Sequence, residues 1–397
     1  MPNAVNAGAW LVACVLSGVL IYLCLELFVG LVPFKKRQLK VLTSHHKSAI
    51  LVPAHNEAMS IAATVSALRT AAPQCRILVV ADNCTDDTAH LARAAGAEAI
   101  ARVSESQTGK GFALAFGRDH LAKAPPEAVI VVDADCRLLP GSADLLIARA
   151  INDNQPVQGV YLLVAGATQS PISSISNFAM LIKNLVRARG LMRLGGGTLL
   201  FGTGMAFPWK LFATLDLATS NAVEDLQLAL LLAKQGIRVG FEDRALVTSQ
   251  AASVANSEGQ RSRWEHGFMQ IAMHNGLPML LSGFSKGSRH LLTIGAHMMV
   301  PPLAMLVLLV VAALLVLILL IWMGFGSVGP LMLLGISFTT LSVALLAAWW
   351  KEGRKVISGR SLLKIPLYVL WKVPLYVRFF TARQTGWNRT QRDGEQL

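Results

Sequence analysis

The amino-acid sequence predicts an α/β domain with a mainly parallel sheet, flanked by transmembrane helices. Short β-branched runs alternate with helical runs between residues 48 and 134, which is the pattern of a parallel sheet. The stretch 291–350 contains no Asp, Glu, Lys or Arg, and about 20 apolar residues are enough to cross a bilayer. Charged residues make up only 15% of the 397 residues, against roughly 25% in an average soluble domain, and hydrophobic residues make up 53%. This composition excludes a disordered chain and argues against a simple soluble enzyme.

The first predicted element is a transmembrane helix over residues 9–34. Its only charged residue is Glu26. The stretch is too long for the apolar core of a signal peptide and no small-residue cleavage site follows it, so we interpret it as an anchor. A carboxylate inside a membrane is a candidate functional group, and the alternative is that Glu26 is protonated or paired with a neighbouring helix.

The second predicted element is an α/β domain over residues 48–275. Its strand-like runs are β-branched and bounded by turn residues, whereas the runs between them have apolar residues at helical spacing. The predicted strands are 48–54, 76–82, 98–103 and 128–134, and the predicted helices are 58–71, 85–96 and 109–123. Ligands bind beyond the carboxyl ends of the strands in such sheets, so polar residues at these ends are candidate site residues.

Acidic residues lie at the ends of three of these strands. Glu57 follows the first strand, Asp82 ends the second, and Asp133 and Asp135 end the fourth. Residues i and i+2 of an extended segment face the same side about 6.6 Å apart, and two such carboxylates suit Mg²⁺ or Mn²⁺ on a diphosphate. The alternative for the Asp-Ala-Asp triplet is an ordinary turn, which its position after an apolar strand disfavours. Asp82, at a strand tip, is placed to accept hydrogen bonds from a nucleobase or ribose.

Three further segments have both a functional and a structural interpretation. Lys110, in Gly-Lys-Gly, is either a solvated loop lysine or a point charge that meets a diphosphate. The segment 221–236 reads as an apolar-striped helix that opens with Glu224 and Asp225, where acidic residues also favour the helix dipole. Taken alone, the segment 260–264, Gln-Arg-Ser-Arg-Trp, has the structural interpretation of a basic surface patch.

The C-terminal part of the chain predicts two more transmembrane helices, over residues 291–323 and 328–350, joined by a glycine-rich turn. The segment 361–380 is predicted to be an amphipathic helix in the membrane interface, because its three basic residues fall within about 120° of one another on a helix. The alternative is a fourth span, which Pro366 and Pro374 disfavour. Residues 381–397 form a basic tail.

The distribution of basic residues predicts the orientation and the partners of the chain. The net charge is +13, and the segment 351–397 alone contains ten basic and three acidic residues. Basic residues follow the first and third predicted spans but are missing from the turn between the second and third. The positive-inside rule therefore predicts a multi-pass protein of the inner, cytoplasmic membrane, with its central domain and tail in the cytoplasm. Membrane lipids explain this charge better than nucleic acid does.

The order of the motifs along the chain is more specific than any one of them. They are PAHNE (53–57), DNCTDDT (82–88), GKG (109–111), DAD (133–135), GTGMAF (202–207), VEDLQLAL (223–230) and QRSRW (260–264). This order, over residues 48–275, resembles the membrane-bound glycosyltransferase family 2, which includes cellulose, hyaluronan and chitin synthases and bacterial exopolysaccharide glycosyltransferases. The resemblance implies a GT-A fold, a nucleotide-diphosphate-sugar donor, Mg²⁺ or Mn²⁺ as the cofactor, and transfer with inversion.

The resemblance also assigns roles to residues of this sequence. Asp225 matches the general base of the family, Asp135 the metal ligand, and Asp133 a contact to the nucleotide next to the metal. The positions that match donor or acceptor contacts are Pro53, Glu57, Asp82, Lys110, Gln260, Arg263 and Trp264. Inverting transfer needs a base for the acceptor hydroxyl and positive charge on the departing diphosphate, so the residue types agree with the chemistry.

The acceptor is predicted from the small number of spans. Three spans are few for enclosing a polysaccharide channel, which favours a lipid-linked or growing saccharide acceptor in exopolysaccharide or glycolipid synthesis. One alternative is a processive synthase whose channel is completed by a second copy or a polysaccharide-assembly partner. Another is a non-catalytic assembly partner, which the presence of every motif acid disfavours. His266, close to the QRSRW segment, either lines the acceptor path or is a structural histidine.

Overall fold

The computed structural model describes residues 2–35, 47–164, 171–221, 223–250 and 254–381, except the side chains of residues 2, 254–261 and 380. The basic residues predicted to flank the first span between 36 and 46, the tail from 382 to 397 and the side chain of Gln260 lie outside the described residues. The chain divides into two compact units. The helical unit comprises the described residues of Met1–Val32, Ser170–Gly196 and Met269–Arg383, and the α/β unit comprises the described residues of Pro33–Gln169 and Gly197–Phe268.

Eight strands form one sheet in the described part of the α/β unit. They are β1 (Ser48–Ala54), β2 (Arg76–Asp82), β3 (Glu98–Arg102), β4 (Ala128–Val131), β5 (Cys136–Leu138), β6 (Val157–Val164), β7 (Met205–Pro208) and β8 (Gly240–Gln250). Their order is β3-β2-β1-β4-β7-β6-β8-β5. Strands β1 to β4 pair in parallel, and β7 joins them antiparallel to β4.

Helices follow the strands and build the rest of the chain. In chain order they are α1 (Pro2–Gly30), α2 (Ile61–Ala71), α3 (Thr88–Ala94), α4 (Lys110–Leu121), α5 (Ser142–Asp153), α6 (Pro171–Leu181), α7 (Ala188–Leu194), α8 (Trp209–Phe212), α9 (Glu224–Lys234), α10 (Val254–Ser285), α11 (Arg289–Met298), α12 (Leu303–Trp322), α13 (Val328–Ala348), α14 (Gly359–Leu362), α15 (Ile365–Trp371) and α16 (Val373–Thr381). Two π-helical segments also occur: Ile182–Arg187 lies between α6 and α7, and Trp349–Gly353 directly follows α13.

The predicted fold class is confirmed. Strands β1 and β2 have the predicted bounds, because their side chains are buried on both faces and polar turn residues limit them. Helices α2, α3 and α4 connect the parallel strands, as such crossovers require. The carboxyl ends of the parallel strands β1 to β4 therefore meet at one edge of the sheet, and this edge carries the acidic residues that the sequence singles out.

Three helices in the described part of the helical unit are long and apolar enough to cross a membrane. They are Asn3–Gly30, Leu303–Trp322 and Val328–Gly353. The predicted segment 291–323 is divided in the structure: its first residues belong to α11, and the spanning helix begins only after Pro301 and Pro302. Proline lacks the N–H that a continuous helix needs, which explains the break.

The segment 361–380 forms helices α14, α15 and α16, of which the longest has nine residues and is too short to cross a bilayer. Its buried side chains, including Val369 and Phe379, pack with Met269 and with Ala304 in the first turn of α12. This packing keeps the segment beside one end of a spanning helix. Its location in the membrane interface stays a prediction.

Glu26 is fully buried and paired within the helical unit. Its Oε2 atom accepts a hydrogen bond from Arg187 Nε at 2.7 Å, and its Oε1 atom lies 2.6 Å from His297 Nδ1. Gly30 and Gly190 lie at the same crossing, where an added Cβ would overlap backbone atoms of the facing segment. Glu26 therefore connects α1 to two other segments, as the structural interpretation of this residue predicts.

Candidate functional site

Lys110 lies at the centre of a charged cluster at the carboxyl edge of the sheet. It is the first residue of α4, and its Nζ atom lies 2.6 Å from Asp133 Oδ1, which follows β4. The same atom donates a hydrogen bond to the carbonyl oxygen of Gly202 at 2.8 Å and lies 3.6 Å from Glu224 Oε1. The lysine therefore brings together four segments that are far apart in the sequence.

Asp225 reaches the same cluster from the first turn of α9. Gly202 has a positive φ of 83°, and a Cβ atom added there would lie 3.3 Å from both Asp225 Oδ2 and Lys110 Nζ. The glycine therefore lets the carboxylate and the ammonium approach the same backbone segment. The placement of Glu224 and Asp225 at a helix N-terminus is favourable for negative charge, so one helix end serves stability and the site together.

Burial and neighbouring charges shift the pKa values in this cluster. Burial raises the pKa of Glu224 to about 7, although Lys110 opposes this shift. Burial also raises the pKa of Asp133, again against Lys110 and with a further contribution from Asp135. For Lys110, burial would lower the pKa, but Asp133 and Glu224 outweigh it and raise the value. A cluster of such groups is typical of catalytic sites.

Asp133 and Asp135 offer the ligand set of a hard divalent cation. One oxygen of each carboxylate and Cys136 Sγ all lie within 4.8 Å of one another. Burial, together with Asp135 and Asp133, raises the pKa of the Cys136 thiol well above its ordinary value, so it stays protonated and is a poor ligand. The two carboxylates fit Mg²⁺ or Mn²⁺, which prefer oxygen ligands.

Asp82 has a partner that the sequence analysis did not identify. Arg102 Nη1 donates a hydrogen bond to Asp82 Oδ1 at 2.6 Å, and both side chains are more than 90% buried. Arg102 also donates to Gln107 and lies over the ring of Phe112, 5.4 Å from its centroid. The two residues are register partners of the parallel strands β2 and β3, so only the strand pairing indicates this contact.

Pro53 and Glu57 lie at the end of β1 and in the loop that follows it. The Glu57 amide donates to Thr88 Oγ1 at 2.7 Å, and Glu57 Oε2 accepts a hydrogen bond from Ser60 Oγ at 2.8 Å. Asn56, in the left-handed region with φ 54°, accepts a hydrogen bond from the Thr85 amide through Oδ1. These bonds hold the loops after β1 and β2 together beside Asp82.

The segment with Arg263 and Trp264 lies in α10, and both side chains are partly buried. Burial lowers the pKa of Arg263, and it outweighs the opposite effect of the negative charges of Glu224, Asp133 and Asp225. These charges act on the guanidinium, so the structure places Arg263 within electrostatic range of three acidic residues of the cluster. It adds nothing on Gln260, whose side chain lies outside the described residues, and it buries His266 in the same helix.

A mixed, mainly parallel sheet with acidic residues at its carboxyl edge defines the fold of the α/β unit as GT-A-like. Residues 45–267, more than half of the chain, match the family described as "Glycosyltransferase like family 2". The chain belongs to this family.

Two relatives illustrate the similarity. The uncharacterized glycosyltransferase YaiP of Escherichia coli K12 is 28% identical over 229 residues, which are 55% of this chain and 56% of YaiP. The chain therefore spans little more than half the length of this curated relative. The mannosyltransferase PcManGT of Pyrobaculum calidifontis, solved in complex with GDP-Man and Mn²⁺, superposes with a TM-score of 0.54 at 14% identity, covering 97% of this chain and 100% of that one. At this identity the match supports the fold.

Proposed function

We propose that this protein transfers a sugar, with inversion, from a nucleotide-diphosphate sugar to a lipid-linked or growing saccharide acceptor at the cytoplasmic face of a membrane. The observation that carries the proposal is the position of Lys110 between Asp133, Glu224 and the carbonyl of Gly202, beside Asp225. In this arrangement a cationic group can stabilise the leaving diphosphate. The neighbouring carboxylates can bind a divalent cation and accept a proton from the acceptor.

Each residue of the cluster has a role in this proposal. Asp225 accepts the proton of the acceptor hydroxyl as that oxygen attacks the anomeric carbon. Lys110 and Arg263 balance the negative charge that develops on the departing diphosphate. Asp133 and Asp135 would hold the divalent cation, which supplies further positive charge at the diphosphate when bound. The complex of the Pyrobaculum mannosyltransferase with GDP-Man and Mn²⁺ supports this donor class and this kind of ion.

The loops after β1 and β2 are proposed to bind the nucleoside. Arg102 holds Asp82 at the end of β2. In this proposal the buried carboxylate accepts a hydrogen bond from the base or ribose of the donor. Pro53 and Glu57 border the same loops. Gln260 and Trp264 are proposed to border the acceptor, as the family resemblance implies.

The acceptor class is argued from the helical unit. Three helices suited to a bilayer keep the enzyme at a membrane, where lipid-linked acceptors reside. This supports a role in exopolysaccharide or glycolipid synthesis. Growth of a long polymer on the same site is the outcome expected for the processive alternative.

The test is release of nucleoside diphosphate by the full-length protein in lipid nanodiscs, with a panel of nucleotide sugars and a membrane-lipid extract. We expect release that requires Mg²⁺ or Mn²⁺, stops in excess EDTA and is lost in Asp135→Asn. Asp119→Asn is the matched control, because Asp119 is an exposed residue of the same unit. Full activity of Asp135→Asn, or activity in excess chelator, would contradict the metal assignment. Mass spectrometry of the product then separates single additions from a polymer.

A further inference from the structure

Gln158 is a fully buried polar residue near the start of strand β6. Val157 before it and Val160 two residues later are also buried, so the amide lies in an apolar part of the sheet. Burial of an amide costs free energy unless its two N–H donors and its oxygen are paired. The partners of this side chain therefore decide whether its burial is favourable.

The partners of the Gln158 amide are backbone groups of β6 and of the turn 201–204, which precedes β7. Its Nε2 atom donates to the carbonyl oxygens of Thr203 at 2.8 Å and Gly159 at 2.9 Å. Its Oε1 atom accepts a hydrogen bond from the Phe201 amide at 2.9 Å. One side chain thus holds both ends of the turn.

The turn 201–204 contacts both members of the ion pair between Lys110 and Asp133. The carbonyl oxygen of Gly202 accepts a hydrogen bond from Lys110 Nζ at 2.8 Å. Thr203 Oγ1 accepts a hydrogen bond from the backbone amide of Asp133 at 3.2 Å. A displacement of the turn would therefore move the groups that hold the ammonium and the carboxylate in place.

The turn depends on an anchor outside itself because its backbone is irregular. Gly202 and Gly204 have positive φ values of 83° and 67°, so the turn does not continue the extended backbone of β7. The backbone groups of such a turn must find partners elsewhere. Gln158 is the partner of the Phe201 amide and the Thr203 carbonyl, so the conformation of the turn depends on this side chain.

We propose that Gln158 is a positioning residue of the site: its amide fixes the turn 201–204, and the turn fixes Lys110 against Asp133. For the role of Lys110 at a diphosphate, this proposal rests on the proposed function. A lysine that is already in place meets the leaving diphosphate without a search among its rotamers. Gln158 acts through backbone atoms of the turn and takes no part in the chemistry itself.

The experiment measures how fast Lys110 is acetylated by acetic anhydride in the full-length protein, without donor, acceptor or divalent cation. The protein is placed in nanodiscs of phosphatidylcholine, which has no primary amine, and receives a trace of the reagent. Mass spectrometry of peptides gives acetylation at Lys110 relative to the exposed Lys123. Only the unprotonated amine reacts, and nearby carboxylates favour the ammonium form. A lysine fixed beside them therefore reacts slowly.

Two variants test the amide, and a third is the matched control. Gln158→Met keeps the length of the side chain and removes its hydrogen bonds. Gln158→Asn keeps the amide but is one methylene shorter, so it cannot reach both ends of the turn. Ser142→Ala is the control, because the Ser142 hydroxyl is also buried and also bonds the backbone of another segment, at Leu246. Thermal unfolding measures the stability of each variant.

We expect the relative acetylation rate of Lys110 to rise about tenfold or more in Gln158→Met, as for the loss of a hydrogen bond to a charged group. The rise should be smaller in Gln158→Asn. Ser142→Ala should lower the unfolding temperature and leave this rate unchanged.

An unchanged rate in both Gln158 variants, an equal rise in Ser142→Ala, or failure of Gln158→Asn to fold would overturn the proposal and assign Gln158 to stability alone. No sugar is transferred in this measurement. A lack of nucleoside diphosphate release with every donor would therefore contradict the proposed function and not the link between Gln158 and Lys110.

Discussion

Lys110 Nζ lies 2.6 Å from Asp133 Oδ1, so an ammonium group occupies one side of the carboxylate that is proposed to face a divalent cation. Without the lysine, the carboxylates of Asp133, Glu224 and Asp225 would repel one another in a poorly hydrated site. The lysine thus balances the charge of the site while no donor is bound, and the same charge is available to a diphosphate.

We predict that Lys110→Met separates donor binding from cation binding. Hydrogen bonds to charged groups contribute about 1.5–3 kcal/mol, so nucleoside diphosphate affinity should fall by about tenfold or more. Affinity for Mn²⁺ in the absence of nucleotide should stay equal or rise, because the competing ammonium is gone. Calorimetry with each ligand measures both, and Lys123→Met, on the exposed end of the same segment, is the control. Unchanged nucleotide affinity would contradict the assigned role of Lys110.

We predict that Asp225→Asn lowers turnover by about 10²–10⁴-fold, the usual contribution of a general base, while donor affinity is nearly kept. Glu224→Gln should cost less. Because the pKa of Glu224 is about 7, its carboxylate form dominates only above neutral pH, and Gln fixes the uncharged state. Glu224→Gln should therefore flatten a bend in the rate profile near pH 7, whereas Asp225→Asn should be slow at every pH. Normal turnover of Asp225→Asn would show that another group is the base.

We predict that Arg102→Met both destabilises the α/β unit and weakens donor binding. Removal of one partner of a buried ion pair leaves the other charge uncompensated and costs about 3–5 kcal/mol. The double variant Asp82→Asn with Arg102→Met should regain part of the stability but not the donor affinity. Thermal unfolding and calorimetry measure the two effects. Recovery of donor affinity in the double variant would show that Asp82 has only a structural role.

The proposed orientation predicts the accessibility of engineered cysteines. In intact cells, Lys40→Cys and Gln391→Cys should be shielded from an impermeant maleimide, whereas Gly326→Cys, in the turn between α12 and α13, should react. All three should react after permeabilisation, which is the control for accessibility. Labelling of Gln391→Cys in intact cells would mean that the segment 361–380 crosses the bilayer.

A pH-dependent contribution to stability is predicted at Glu242. Its side chain is 2% exposed, and although burial would raise its pKa, hydrogen bonds and charge from Arg244 and Arg149 outweigh this effect and lower it. A lowered pKa in the folded state stabilises the fold above the ordinary carboxyl pKa, and this contribution is lost as the pH falls. Glu242→Gln should thus lower the unfolding temperature at pH 7, and the difference should shrink towards about pH 4. Glu105→Gln, at an exposed site, should have no effect at either pH.

The sequence predicted those features that depend on neighbouring residues. The bounds of β1 and β2 follow from apolar runs between turn residues, and Asp133 and Asp135 were placed after a buried strand by the same local signal. The interruption before α12 was missed, although Pro301 and Pro302 indicate it, because hydropathy over a long window averages across two prolines. The pairing of Asp82 with Arg102 was also missed, since it depends on the register of two strands.

By itself, the sequence determined the fold class, the apolar helices and the identity of the acidic residues at the strand ends, because hydropathy period and turn chemistry act over a few residues. Only the tertiary structure decided which charges meet. Lys110 and Asp133 are 23 positions apart, Gly202 and Asp225 come from other segments, and Glu26 finds Arg187 and His297 across most of the chain. Such contacts depend on strand order and helix packing, and burial in the cluster around Lys110 raises the pKa of Glu224.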